Sequence, residues 1–391
     1  MRLINDAIQE CLSLSPCREV ESLPLLEACG ASLAADLVAE RSLPLWDQSA
    51  MDGYAVRAEE ATQGAVLSLG EIIPAGHWPQ RSLKEGEAAR IFTGAPLPEG
   101  SDAVVIQENV VPHSLSADQR VAMIKVESTA QRGDHIRVCG EELRAGTLIS
   151  RSERTVTPGL LGLCASQGWT HLPVFKKPNV ALLETGTELV EPGIPLSNAQ
   201  IYASNATTLS PLIKLSGGQL LSSERVSDHV SEVVNKLNLL IDQGARLLIT
   251  TGGVSVGDFD PIHQALEQLG ATRSFWRVKM KPGKPISVAT LDRGDDDPVL
   301  IIGLPGNPVS CVIGYLLFVH PLLQHLSGVP SQRLGLPRIS CILDHDIEKR
   351  GHRAELFRVS LLPHREATQD ARRIETWRCG LTGGQSSAWI S

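Results

Sequence analysis

The chain has 391 residues, 42% of them hydrophobic and 20% charged, which is too long for one ordinary core and too apolar for a disordered protein, so roughly two to four domains are expected. A formal net charge of −8 and an aromatic content of 4% exclude a general attraction to nucleic acid or anionic membranes, and a base-stacking platform for single strands. Any anion site must therefore be local and built against the overall field.

From the N-terminus, Leu3, Ile4, Ala7, Ile8, Cys11 and Leu12 form an amphipathic helical stripe, and Asn5, Asp6, Gln9 and Glu10 interrupt it as no signal peptide would be interrupted. Ser15-Pro16 breaks this helix, and a second is expected over 19–43, ending near Pro44. From Trp46 to Ile136 the texture is short β-rich runs at 65–69, 88–92, 103–107 and 121–126, punctuated by glycines, which reads as a small barrel-like β module. Thr157-Pro158 is an N-cap followed by proline at the first helical position, opening a helix over 159–167. Strands at 180–183, 246–250 and 299–303 then alternate with helices at 205–215, 227–243, 261–269 and 308–324, the pattern of a mostly parallel sheet with helices on both faces. Ser327-Gly328-Val329-Pro330 reads as a linker, and runs at 338–343 and 357–362 as a small C-terminal β domain. The division expected is 1–45 with 137–176 as a discontinuous N-terminal domain, 46–136 as an inserted β module, 177–326 as the α/β domain, and 331–391 as an incomplete β domain.

Eight cysteines lie at 11, 17, 29, 139, 164, 311, 341 and 379 without a Cys-x-x-Cys pair, so they read as free thiols of a cytoplasmic protein rather than zinc ligands. No apolar run reaches membrane-spanning length; the best, 309–319, runs into His320-Pro321. No Gly-x-Ser-x-Gly elbow is present, which argues against an ordinary serine hydrolase.

Three glycine-rich segments carry the chemistry. Thr251-Gly252-Gly253, followed by Ser255, Gly257 and Asp258, comes directly after a strand. Paired glycines permit positive φ and close backbone approach, so its N–H groups can converge on a phosphate, although no Walker lysine is present. Asp260-Pro261 then opens a helix, where Asp260 can be a simple N-cap or a metal ligand. Lys279, Lys281 and Lys284 crowd a second segment stiffened by Pro282 and Pro285, and compact ammonium heads suit a tetrahedral oxyanion. Gly303-Leu304-Pro305-Gly306-Asn307-Pro308-Val309-Ser310 is the third, with Asn307 as N-cap. A micromolar anion site needs about −8 kcal/mol, which three to five hydrogen bonds to charge at roughly 1.5–3 kcal/mol each would supply. Since ligands on such sheets bind beyond the carboxyl ends of strands, these segments form a rim that places an anion next to a metal-binding acid.

Taken in order, Ser49-Ala50-Met51-Asp52-Gly53-Tyr54-Ala55-Val56, Thr93-Gly94-Ala95-Pro96-Leu97-Pro98, Gly140-Glu141, Thr185-Gly186, Glu188-Leu189, Ser204-Asn205 and the three glycine-rich segments resemble the molybdopterin molybdenumtransferase family, the group of MoeA and the gephyrin E domain. The resemblance is collinear over nearly the whole chain. It implies a multidomain subunit with a MogA-like central domain. It also implies a cytoplasmic homodimer, insertion of molybdenum from molybdate into adenylylated molybdopterin, and Mg2+-dependent release of AMP. By the same resemblance, Asp260, Glu188, Asp52 and Thr93 are the catalytic candidates, and Asp260, Glu188 and Asp228 the metal ligands. Thr251, Gly252, Gly253, Ser255, Gly257, Lys281, Lys284, Gly306, Asn307 and Ser310 would hold the substrates. Asp228 can alternatively cap the helix it precedes. The molybdopterin adenylyltransferase is an expected partner, with no nucleic acid and no membrane. Thr187, Ala203 and Glu142 stand where the family often has Asp, and Thr382 to Trp389 resembles a late family motif. A non-catalytic molybdopterin-binding scaffold of the same fold and a nucleotide pyrophosphate hydrolase are the alternative readings.

Overall fold

The computed structural model describes residues 1–115, 121–253, 260–294, 296–348, 351–364 and 376–382. The chain divides into two compact units: Asp36–Arg151 with Ser166–Gly168, and Met1–Ala35 with Ser152–Ala165 and Trp169–Ser391.

The first of these is built on a six-stranded sheet in the order Ala103–Ile106, Gly53–Val56, Glu87–Ile91, Val66–Ile73, Val121–Val126, Val110–Leu115. Its two edge strands are joined by a single three-residue 3-10 turn, Gln107–Asn109. A sheet whose opposite edges are three residues apart must curl until they meet, the barrel-like form expected from the sequence. Both faces are buried along Ala103–Ile106, Gly53–Val56 and Glu87–Ile91. Val56, Ala88, Val105 and Ile124 pack into one core, while Ala55, Ala89, Val104 and Ile91 pack into another. Successive residues of a strand point to opposite faces, so runs such as Ala103-Val104-Val105 are apolar throughout rather than alternating. Gly53 is required here because a Cβ would lie 2.1 Å from the carbonyl oxygen of Val105 on the neighbouring strand.

The larger unit holds the central sheet, in the order Gln219–Val226, Asn179–Thr185, Leu247–Thr251, Asp296–Leu304, Ser287–Arg293, Thr272–Trp276. The first four strands are parallel, and the last two join as antiparallel neighbours. Val180, Leu182, Ile249 and Ile302 pack on one face against Ile4–Ser13, Asn205–Leu215 and the helix beginning at Pro308. Ala181, Leu183, Leu248 and Ile301 pack on the other against Val230–Asp242 and Pro261–Gln268. Glu184 pairs with Thr251, and Thr251 with Leu304, so three parallel strands end flush and their following loops share one edge.

Two expectations are corrected. No helix forms over 19–43; Val20–Pro24 is instead a strand paired antiparallel with His171–Phe175. Pro24 lacks the N–H a helix interior needs, and Gly30 sits at φ +83°, so the apolar spacing there serves long-range pairing rather than a helix. The helix expected over 308–324 runs from Pro308 to Leu326, and at 19 residues with mean hydropathy 1.5 it is long and apolar enough by composition to cross a membrane, a length no apolar run in the sequence is expected to reach. It is a core helix of this fold: Cys311, Tyr315, Phe318, Val319, Leu322 and Leu323 are all in the central core. The wider π turn Tyr315–Val319 ends two residues before Pro321, where the absence of a proline N–H would otherwise break the α ladder. Thr157 caps its helix as expected, its Oγ1 accepting from Leu160 N at 3.3 Å.

Candidate active site

The edge of the central sheet is built by close approach of its loops. Gly252 has φ +82°, and a Cβ there would lie 2.4 Å from the Thr185 carbonyl oxygen; Gly253, at φ +58°, would meet Thr185 Oγ1 at 3.0 Å and Asp260 Oδ1 at 3.5 Å. On the other side, a Cβ on Gly306 would lie 3.4 Å from Gly252 Cα. Asn205 fixes that third loop by donating from Nδ2 to Gly306 O at 2.9 Å. The backbone at Gly252 thus lies against Thr185 on one side and Gly306 on the other, as the glycines at 252 and 306 allow. Ser255 and Gly257 lie outside the described residues.

Asp260 is an N-cap. Its Oδ1 accepts from Ile262 N at 3.0 Å and His263 N at 3.1 Å, and the residue is buried. Asp228 does not cap the helix after it, which begins at Val230 without a side-chain cap. Its Oδ2 instead accepts from Thr187 N at 3.0 Å and Thr187 Oγ1 at 2.8 Å. Thr187, where the resemblance implies Asp, thus presents a hydroxyl that donates to Asp228. Glu188 is exposed. Among the described residues no three His, Cys, Asp or Glu side chains converge as a metal site, so Asp260, Glu188 and Asp228 are not brought together as the predicted ligand set.

The lysine segment does form a cavity, of about 510 Å³. Lys281, Lys284, Asn307 and Ser310 line it together with Arg353, Glu355 and Arg358. Asn307 Oδ1 accepts from Ser310 N at 3.2 Å, capping the helix whose first turn faces the space. The arginines come from the C-terminal β segment, because Ala354–Glu355 pairs in parallel with Met280–Lys281. Four cations and one carboxylate leave a local positive excess in an acidic chain. Lys281 Nζ lies 3.5 Å from Glu355 Oε1, whereas Lys284 and Arg353 make no ion pair among the described residues. Nothing local in the sequence marks Arg353 or Arg358; only the long-range pairing brings them here.

A second cavity, of about 700 Å³, opens past the neighbouring strands and is lined by Glu184, Thr187, Glu191, Thr207, Ser223 and Arg225 among others. Sequence reasoning passed over Glu184, although a carboxylate ending the apolar run Val180-Ala181-Leu182-Leu183 was a visible signal. It is 4% exposed, and burial pushes its carboxyl above the usual range, against the Ala206 N–H and Arg225, which pull it down.

In the smaller unit, Asp52 and Thr93 are brought together. Asp52 Oδ1 accepts from Thr93 N and Thr93 Oγ1, both at 2.8 Å. These two hydrogen bonds hold the Asp52 carboxyl below its ordinary value. Arg90 braces the same segment, donating to Gly53 O at 2.9 Å and lying over the Tyr54 and Phe92 rings.

Comparison with known proteins finds matches in both units. A family model for the MoeA N-terminal region, domains I and II, matches residues 3–168, and one for a probable molybdopterin-binding domain matches 181–325. The chain is 36% identical over 367 residues to molybdopterin molybdenumtransferase 2 of Mycobacterium tuberculosis, covering 90% of this chain and 85% of the relative. It is 35% identical over 317 residues to a molybdopterin molybdenumtransferase of Nostoc, covering 80% of this chain and 70% of the relative. A solved molybdopterin biosynthesis MoeA protein of Pyrococcus horikoshii superposes with a TM-score of 0.77 at 25% identity, over 97% of this chain and 90% of that one. With motifs, fold and relatives in agreement along most of the sequence, the chain belongs to the molybdopterin molybdenumtransferase family of enzymes.

Proposed function

We propose that the protein inserts molybdenum from molybdate into molybdopterin, taking the adenylylated form and releasing AMP. The observation that carries this reading is the cationic cavity of Lys281, Lys284, Arg353 and Arg358 beside the first turn of the helix at Ser310. Ammonium heads, guanidinium N–H groups and the Ser310 hydroxyl donate to a tetrahedral oxyanion, and a helix N-terminus favours the same charge. The glycine loop at 252–253, with its positive φ values, is the proposed seat of the adenylate phosphate.

In this scheme a water oxygen bonds to the adenylyl phosphorus as the bridging P–O bond to the pterin phosphate breaks, and AMP leaves. The two dithiolene thiols then displace two molybdate oxides, each of which takes one thiol proton and departs as hydroxide. Water and the dithiolene sulfurs of the substrate supply the nucleophiles, so no side-chain nucleophile is required. The three predicted carboxylates do not form a protein cage, and magnesium commonly binds through one or two carboxylates plus phosphate and water. Asp260 and Glu188 are the proposed protein contacts for such an ion, which neutralises phosphate charge when bound. The Asp52–Thr93 pair is proposed as a further catalytic element of the same reaction. A homodimer, and delivery of substrate by the adenylyltransferase, belong to the same proposal.

Purified protein given adenylylated molybdopterin, molybdate and magnesium should yield metallated cofactor and AMP in equal amounts. AMP without metal insertion would identify a pyrophosphate hydrolase, and binding without either product a scaffold. Asp260→Asn should nearly abolish turnover while leaving the protein folded; near-normal turnover removes Asp260 from the site.

A further inference from the structure

Glu184 is placed where a carboxylate is costly. It shares a strand face with Val180 and Leu182, both in the central core, and is 4% exposed. One of its oxygens, Oε1, accepts from the backbone N–H of Ala206 at 2.9 Å. Its second oxygen takes no hydrogen bond among the described residues, yet it is not among the sealed polar atoms of the fold. It is therefore open to the 700 Å³ cavity that Glu184 lines. Arg225, its cross-strand neighbour, does not pair with it: the guanidinium instead donates to Leu189 O at 3.3 Å and lies 3.0 Å from Glu191 Oε1. A buried acceptor left in this state favours any ligand that brings an N–H donor.

The rest of the lining says which ligand. Glu191, Glu224 and the hydroxyls of Thr187, Thr207 and Ser223 oppose a phosphate and suit a neutral, donor-bearing ring. Molybdopterin and the adenylate each carry one heterocycle. The pterin edge presents two adjacent donors, the ring N3–H and the 2-amino group. The adenine edge presents one amino group flanked by acceptor nitrogens, which a carboxylate repels. Resting on the proposed function, we propose that Glu184 is a specificity-determining residue whose free oxygen accepts hydrogen bonds from the amino-pyrimidinone edge of the pterin. Ala206 holds the carboxyl in place through the other oxygen, so the acceptor is oriented before the ligand arrives.

Binding of molybdopterin and of AMP is measured on wild type and on Glu184→Gln, which keeps the oxygen facing Ala206 and turns the other into an amide donor. The variant should bind molybdopterin roughly 10- to 100-fold more weakly, bind AMP unchanged, and melt as wild type does. A variant that binds molybdopterin normally, or loses AMP as strongly, overturns the assignment. A second measurement needs no variant: pterin should displace molybdopterin from wild type at lower concentration than lumazine, in which an oxygen replaces the 2-amino group. Equal displacement by the two overturns the assignment as well. Failure of wild type to bind molybdopterin at all overturns the proposed function itself, and so is distinguished from failure of the Glu184 assignment alone.

Discussion

The cavity beside Glu184 and the cavity beside Lys284 stand on one edge of one sheet, past strands that end flush, and their chemistry is opposite. The first gathers Glu184, Glu191 and Glu224 with hydroxyls around a single arginine, Arg225; the second gathers two lysines and two arginines around a single glutamate. The glycine loops lie between them, with Gly252 against Thr185 on one side and Gly306 on the other. An enzyme that joins an uncharged ring system to an oxyanion needs both characters within reach, and separating them prevents the carboxylates from neutralising the lysines. Local arrangement decides this, since the chain as a whole carries a net charge of −8.

The sharpest way to break the division is Lys284→Ala. Losing a charge-assisted contact at about 1.5–3 kcal/mol should weaken molybdate binding roughly 10- to 100-fold by calorimetry while molybdopterin binding holds. Equal loss of both ligands would mean the cavities do not act separately. Next in size is Gly252→Ala, which puts a Cβ within 2.4 Å of the Thr185 carbonyl at φ +82°. It should cost about 1–3 kcal/mol in urea unfolding and, because this loop touches both sides, weaken both ligands. Thr187→Val removes one hydrogen bond to Asp228, worth about 1 kcal/mol, and should weaken molybdopterin several-fold without touching molybdate. Glu355→Gln removes the carboxylate beside Lys281. The Lys281 side chain is 60% exposed, so solvent screens the pair to about 1 kcal/mol at most, and molybdate should bind up to about fivefold tighter.

The smallest effect is a pH slope. The Glu184 carboxyl is raised above its ordinary 4.5, chiefly by burial, so the folded protein holds that proton more tightly than the unfolded chain. Stability from this group is full below 4.5 and declines as pH rises through the raised value. A plot of Tm against pH should show this decline in wild type and lose it in Glu184→Gln; identical curves would mean the group is not so buried in solution.

The elements of the central domain were legible because their signals are local. Asn205–Leu215 begins and ends where periodicity places it, and Asn307 and Asp260 cap the helices their sequence positions mark. The segment 19–43 reads as a helix because its apolar spacing fits one, while the partners of Val20–Pro24 lie some 150 residues away at His171–Phe175. Strands Gln219–Val226 and Thr272–Trp276, only partly buried, have no apolar run to announce them.

By itself the sequence determined which loops can approach a ligand, since glycine, proline and capping residues act on their own backbone. It also determined the family, through the order of those motifs. The tertiary structure decided what the loops hold. Parallel pairing of Ala354–Glu355 with Met280–Lys281 brings Arg353 and Glu355 to the lysines. The hydroxyl of Thr187 turns Asp228 toward its own loop, and a strand end buries Glu184 with one oxygen still open. Charge, burial and hydrogen bonding at a site depend on neighbours distant in the chain, and those neighbours exist only once it has folded.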